Sequence, residues 1–436
     1  RYTAEEIKGF INKIKTNKST IPGDIPAKIL KKFSDIFCIP LTDIINTSIK
    51  TGFWPSRYKQ ELITPVAKVT PTEKMDQLRP TSNLPVCDKI FESVISELVV
   101  KDMKKSVDPK QFGNQKNMSI QHYLVQMMHR ILSCVDSSSQ GEATAVLCSF
   151  VDWKSAYSYQ CHKLGIESFI RNKVRPSLIP LLVNYFQGRE MRVKFHGQVS
   201  ESKTQPGSGA QGASLGNHEF TSQTNNNADC VPEADRYKFV DDLSCLEKIN
   251  LLSIGLASYN YKLQVPSDIP SHGQIISNEH LKTQGYLDKI SQWTTNQKMF
   301  LNEKKTKAMI INFTKKYQFT ARLKLNDTHL EIVDSMKILG TILNNKLDWN
   351  QNCKNLVSKV NKRMLLLRKM HSFGASQSDM VHLWVVYCRS VLEQSAVLWQ
   401  GGLTEENKES LERTQKSFVK LIMKGKVTNY EESFSQ

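Results

Sequence analysis

Residues 145–151 read AVLCSFV, a continuous run rich in β-branched and aromatic residues that stops at Asp152. A half-exposed strand would alternate; this run does not, and it reads as a strand buried on both faces. A second segment, RYKFVDDLSCL from Arg236 to Leu246, reads as a hairpin with Asp241 and Asp242 at its turn. Two segments that want burial thus each deliver carboxylates at an end. A carboxylate facing an apolar core is costly unless it is paired or bound to metal. Three brought together would repel one another without a cation. Mg²⁺ takes a few carboxylates plus waters and substrate phosphates. Two such ions about 4 Å apart can activate an attacking oxygen and stabilise a leaving one. The plainer alternative is a turn, which Asp favours, and one Asp-Asp pair is expected roughly by chance in a chain this long.

The chain has 436 residues, enough for a sizeable core and, by length alone, two or three domains. Its net charge of +17 is spread evenly. Basic minus acidic residues give 21 − 15 = +6 over 1–144, 24 − 18 = +6 over 145–344, and 14 − 9 = +5 over 345–436. A distributed positive field suits a long polyanion held along a channel; a generically basic protein is the alternative. The nine cysteines include no C-x-x-C pair, so neither a zinc site nor a disulfide framework is supported, and a reducing interior is expected. No apolar run approaches a membrane span and no signal peptide opens the chain. The expectation is an intracellular protein, in nucleus or cytoplasm and not secreted. The chain opens on Arg1, not Met, and is expected to be part of something longer.

Local patterns place the elements. TAEEIKGFINKIK has helical spacing, with Thr3 as cap and Glu6 three residues on. IPAKILKKFSDIFCIPLTDIINTSIKTG reads as further helix ending at Gly52, and ELITPVAKV as a short strand broken by Pro65. EKKTKAMIINF and MKILGTIL are one strand candidate each. Residues 247–288 look loop-rich. The last 90 or so are helical, with Leu356, Val360 and Met364 on one stripe and Lys359, Lys362, Arg363 and Lys369 largely opposite, until Gly374.

Along nearly its whole length the chain resembles the reverse transcriptases of non-LTR, LINE-type retrotransposons. NKSTIPGDIPAKILKK and GFWPSRYKQELITPVAK…LRPTSNLPVCDKIFESVI are similar to the family's fingers, and QFGNQKNMSIQH to the element before its palm. FVDWKSAYS resembles motif A, GSGAQGASLG motif B, FVDD motif C, LNEKKTK motif D and KILGTIL motif E; LEQSAVLW and LERTQK resemble the thumb. Each motif is short, but their order and spacing are specific. The resemblance implies an α/β (α+β) right-hand polymerase: fingers over 1–144, an antiparallel-sheet palm over 145–344, and a helical thumb over 345–436. A segment of about 166–205 would contribute to the fingers, and 247–288 would be an insert.

It further implies RNA-directed DNA synthesis with two Mg²⁺ ions (or Mn²⁺) held by Asp152, Asp241 and Asp242. Lys305 would be the general acid for the leaving pyrophosphate. Lys68 and Arg79 would grip the triphosphate. Gln211 would sit near the nascent base pair, and Gly209 and Gly212 would let backbone approach the nucleotide. Tyr157, five residues past Asp152, would collide with a 2′-OH and select deoxynucleotides. Taken without the resemblance, Lys68 and Arg79 read equally as solvated charge and the glycines as a surface loop, Lys305 reads more readily as a solvated lysine, and a core aromatic is the alternative for Tyr157. RNA template, DNA primer and dNTPs are the implied partners, with no membrane. The endonuclease such elements carry would lie elsewhere on a parent polypeptide.

The chain also departs from the pattern. Ala210 replaces the usual proline of motif B, and Ser158 a second Asp of motif A. The helix expected to be apolar after motif B is polar: NHEFTSQTNNNADCVPEADR. A lapsed fragment that only binds nucleic acid, through its basic helices, is the alternative function. An RNA-synthesising or maturase-type relative fits less well, because of Tyr157 and the thumb.

Overall fold

The computed structural model describes residues 1–17, 20–136, 143–204, 207, 212–253, 274–276, 281–314 and 319–423. A mixed sheet lies at the centre. Its order is Glu331–Ile332, Lys307–Ile311, Thr144–Val151, Asp242–Asn250, Arg236–Phe239. Every residue of the central strand is buried. Both its neighbours are antiparallel to it, so this burial comes from helical layers on both faces rather than from parallel crossovers. Val146, Cys148 and Phe150 pack with Tyr123, Met127 and Ile131 of the Ile120–Asp136 helix. Ala145, Leu147 and Val151 share the opposite core with Phe220, Leu287 and Ile290, from the Ser214–Gln223 and Lys282–Asn296 helices.

A second sheet orders Leu78–Asn83, Gln60–Ala67, Glu190–Phe195 and Gln198–Val199, with Lys203–Thr204 also against the third. It borders a helical core of Ile7, Ile11, Leu30, Ile45, Phe91, Val94, Leu181 and Tyr185. The strand expected to break at Pro65 runs on to Ala67. Pro65 lies past Ile63, the last residue paired with Glu190–Phe195, and opposes Pro80 on the other side. The ladder therefore continues through two residues that cannot donate.

The first helix, Ala4–Lys13, starts on the expected capping box: Thr3 Oγ1 accepts the Glu6 N–H, and Glu6 accepts the Thr3 N–H. The next stretch is two helices, Ala27–Lys32 and Ser34–Thr51, parted at Phe33 and stopped by Gly52 at φ 71°. MKILGTIL is a hairpin, not one strand. Ser335–Ile338 pairs with Thr341–Asn344, and the turn residues Leu339 (φ 47°) and Gly340 (φ 93°) are both left-handed, as a tight hairpin turn requires.

The segment 247–288 is regular at both ends. Residues 247–250 finish a strand, and a helix begins at Lys282. The Glu247 carboxylate accepts the N–H groups of Lys282 and Thr283 and the Thr283 hydroxyl, joining the two. Residues 254–273 and 277–280 lie outside the described residues. The C-terminal helices Asn350–Ser372 and Glu405–Ile422 pack with Met380, Trp384 and Cys388, with Trp384 stacked on Phe418 at 4.5 Å. Leu356, Val360 and Met364 are buried as their spacing requires.

Candidate active site

The site grows from one edge of the central sheet. The hairpin Arg236–Phe239/Asp242–Asn250 pairs Phe239 with Asp242, leaving Val240 and Asp241 as its turn. Val240 has φ 59°, a rare conformation for a β-branched residue, which persists only when the surroundings over-determine it. They do so here. The Val240 N–H donates to Gln111 Oε1 at 3.0 Å, and the same oxygen accepts the Gly113 N–H at 2.9 Å. Gly113 passes so close that a Cβ would meet the Val240 nitrogen at 2.4 Å. Lys238 N–H donates to the Lys110 carbonyl and Phe112 N–H to the Lys238 carbonyl, docking residues 110–112 beside the hairpin through a single parallel bridge. The Lys238 ammonium is buried and donates to Asp108 Oδ2 (2.7 Å) and the Asn225 carbonyl (2.6 Å).

Asp152 reaches the same edge, because Val151 pairs with Leu243 in the next strand. Residues 300–306 run alongside. The Asn302 N–H donates to the Asp152 carbonyl at 2.8 Å, and the Asp152 N–H to Thr306 Oγ1 at 3.2 Å. This brings Lys305 into a cleft of about 280 Å³ shared with Asp152, Asp242, Tyr123, Lys307 and Lys337.

The three carboxyls act on one another. Burial holds Asp152 above the usual carboxylate range; Lys305 opposes this and Asp241 adds to it. Asp241 and Asp242 are both exposed at the end of the hairpin, yet the protein crowded around them raises both carboxyls: Asp241 against its own backbone hydrogen bond and the charge of Arg79, and Asp242 to about 7, with the negative charges of Asp241 and Asp152 adding to it. One oxygen of Asp152 is buried with no hydrogen-bond partner. Among the described residues no three His, Cys, Asp or Glu side chains form a ready metal-ligand group. The three aspartates therefore converge electrostatically without forming a finished cage. Their donor set, all carboxylate with one oxygen unpartnered, fits a hard divalent cation in kind.

The remaining expected residues are distributed around this edge. Arg79 is exposed on the Leu78–Asn83 strand, opposite Val66. Lys68 continues the ladder past Ala67, its N–H donating to the Gln77 carbonyl, so the two cations share a sheet face. Tyr157 stacks on Phe220 at 4.9 Å; burial first, then the Asp241 charge, pushes its hydroxyl up, against a hydrogen bond with Asn114. Gly212 has φ 112° and faces the Ser82 carbonyl. Gly209 and Gln211 lie outside the described residues. The helix after Gly212 is polar yet buried, and its polar groups are largely matched: Glu219 Oε1 with His162 Nδ1 at 2.9 Å, and Ser222 with Ser168 and Asn172. Sequence reasoning missed Gln111, Gly113 and Asp108. The available signal was a lysine, Lys238, between two aromatic residues of a buried strand, which needs a buried acid.

No family model matches the chain. It is 25% identical over 360 residues, 81% of its length and 36% of the relative's, to the Drosophila melanogaster "RNA-directed DNA polymerase from mobile element jockey". It is 26% identical over 179 residues, 40% of its length and 19% of the relative's, to the Drosophila melanogaster "Probable RNA-directed DNA polymerase from transposon X-element". The chain thus spans about a third or less of the length of these curated relatives. Over most of its length the chain is therefore similar in sequence to proteins named as RNA-directed DNA polymerases of mobile elements.

Proposed function

We propose that the chain is the RNA-directed DNA polymerase of a non-LTR retrotransposon, extending a primer 3′-OH on an RNA template with dNTPs. The observation that carries this reading is the strand pairing that sets the end of the Asp152 strand beside the Asp241–Asp242 hairpin, with Lys305 and Arg79 acting on these carboxyls. Residues 145–344 act as the palm. Residues 1–144 act as fingers with help from about 166–205, whose Glu190–Phe195 strand pairs with Gln60–Ala67. Residues 345–436 act as the thumb. Among the described residues no helix is long and apolar enough to cross a membrane.

Asp152, Asp241 and Asp242 would hold two Mg²⁺ ions, or Mn²⁺, which when bound stabilise the attacking and leaving oxygens of the displacement. The side chains supply the rest. Lys68 and Arg79 neutralise triphosphate charge and orient the α-phosphate for in-line attack. Lys305 donates a proton to the departing pyrophosphate. Tyr157 narrows the sugar site, and Gly212, with Gly209 and Gln211, shapes the base side. The test is extension of a DNA primer on an RNA template with Mg²⁺ or Mn²⁺. Template-dependent products support the reading. Nucleic-acid binding with no extension under either metal shows instead a lapsed fragment that only binds.

A further inference from the structure

Asp88, Glu92 and Arg189 are each at most 2% exposed, and Glu61 is 4% exposed. Burying this many charges is a poor way to gain stability, because desolvation offsets most of the attraction. What the acids hold is informative. Asp88 accepts the Trp54 indole N–H at 2.9 Å, and Glu61 accepts the Ser82 hydroxyl. Glu92 accepts the Tyr185 hydroxyl on one oxygen and the Ser214 N–H, at 3.1 Å, on the other. Arg189 lies 3.6 Å from Asp88 and 4.5 Å from the Tyr185 ring. Burial pushes the Glu92 carboxyl up, and the Arg189 charge is the largest influence opposing that rise.

Ser214 is the first residue of the Ser214–Gln223 helix, and Ala213 before it offers no side-chain cap. The helix is capped instead by a carboxylate from another helix, Val86–Met103, 122 residues away. Two residues earlier, Gly212 lies against the Ser82 carbonyl, three residues along the strand from Arg79. The network therefore joins the strand bearing Arg79 to the chain entering the helix.

We propose that Glu92 is a positioning residue of the nucleotide pocket: it fixes the first turn of the Ser214–Gln223 helix, and with it Gly212, against the strand that carries Arg79. The proposal rests on the polymerase reading, in which Arg79 and Gly212 face the same nucleotide.

The test uses the full chain with three changes. Glu92→Met removes the acceptor at similar volume. Glu92→Gln keeps a carbonyl that can accept the Ser214 N–H. Ser214→Pro removes that N–H, together with the serine hydroxyl, while leaving Glu92 in place; proline suits a first helical position, and Ala213 already has the extended backbone (ψ 139°) that a residue before proline adopts. Steady-state single-nucleotide extension and peptide-level amide exchange over 212–220 are both read. Glu92→Met and Ser214→Pro should each raise the dNTP KM at least tenfold with kcat within threefold. They should speed exchange at 213–217, and together they should do little more than either alone. Glu92→Gln should recover most of the wild-type KM. An unchanged KM in both Glu92→Met and Ser214→Pro, or a loss confined to kcat, overturns the proposal. A Glu92→Gln variant as impaired as Glu92→Met, or full additivity, also overturns it. If wild type itself extends no primer, the polymerase reading has failed, and the exchange data still decide whether Glu92 clamps the helix.

Discussion

Tyr157 sits between two roles. Its ring packs on Phe220, and its hydroxyl feels the Asp241 carboxylate. If the ring excludes a 2′-OH, discrimination comes from penalising the wrong sugar. Tyr157→Val should lower the ratio of kcat/KM for a matched dNTP over its rNTP at least tenfold, about 1.4 kcal/mol, while Tyr157→Phe should keep the ratio. An unmoved ratio in Tyr157→Val makes it a packing residue. Lys68→Ala and Arg79→Ala should each raise the dNTP KM by the equivalent of about 1.5–3 kcal/mol, as for a lost charged hydrogen bond, with template binding little changed. Equal KM values in mutants and wild type would remove both from the pocket. His218 tests burial rather than chemistry. Its pKa is lowered to about 4 by desolvation. The folded state then binds a proton less readily than the unfolded chain, so the contribution is present above pH 6.5 and is lost as pH falls toward 4. Because the ring is only half-buried by surface exposure, the effect is at most about 3 kcal/mol. Melting of His218→Gln between pH 7 and 4.5 should fall less than wild type; parallel curves would contradict this.

Elements were legible where the signal was local. The Thr3 capping box, the stop at Gly52 and the buried run ending at Asp152 all lie in a few contiguous residues. The MKILGTIL hairpin was misread although its turn is local; other misread elements depend on what lies opposite them elsewhere in the chain. Pro65 is tolerated because of what lies opposite it, and the edges of 247–288 are joined by Glu247. The polar helix after Gly212 is buried because His162, Ser168 and Asn172 meet it. The Asp241 turn is of this second kind, since its left-handed Val240 is held by Gln111, 129 residues away. Gln111→Met removes the acceptor and leaves one buried and one partly buried N–H group unpaired, costing roughly 1–3 kcal/mol of stability. If that strain sets the reach of Asp241, kcat should fall at least tenfold with dNTP KM within threefold. A stability loss with kcat intact would make the clamp purely structural.

At the scale of the molecule, the two larger sheets and the helical C-terminal fifth surround the strand ends that carry Asp152, Asp241 and Asp242. That placement was legible because Asp152 and Asp241–Asp242 end segments whose apolar character is plain in sequence. The distribution of basic residues pointed toward a polyanion but said nothing of where it lies. The polar networks behind the site were not legible, since several of their key bonds join residues fifty to over a hundred positions apart. In the proposed function the three aspartates form the polymerase centre. The most direct measurement is primer extension on an RNA template with Mg²⁺, comparing wild type with Asp241→Asn and following template binding in parallel. The account predicts template-dependent extension by wild type, and loss of extension by at least a hundredfold in Asp241→Asn with binding within about threefold, since the change removes a charge and little volume. Extension that survives Asp241→Asn, or binding and extension lost together, would contradict it.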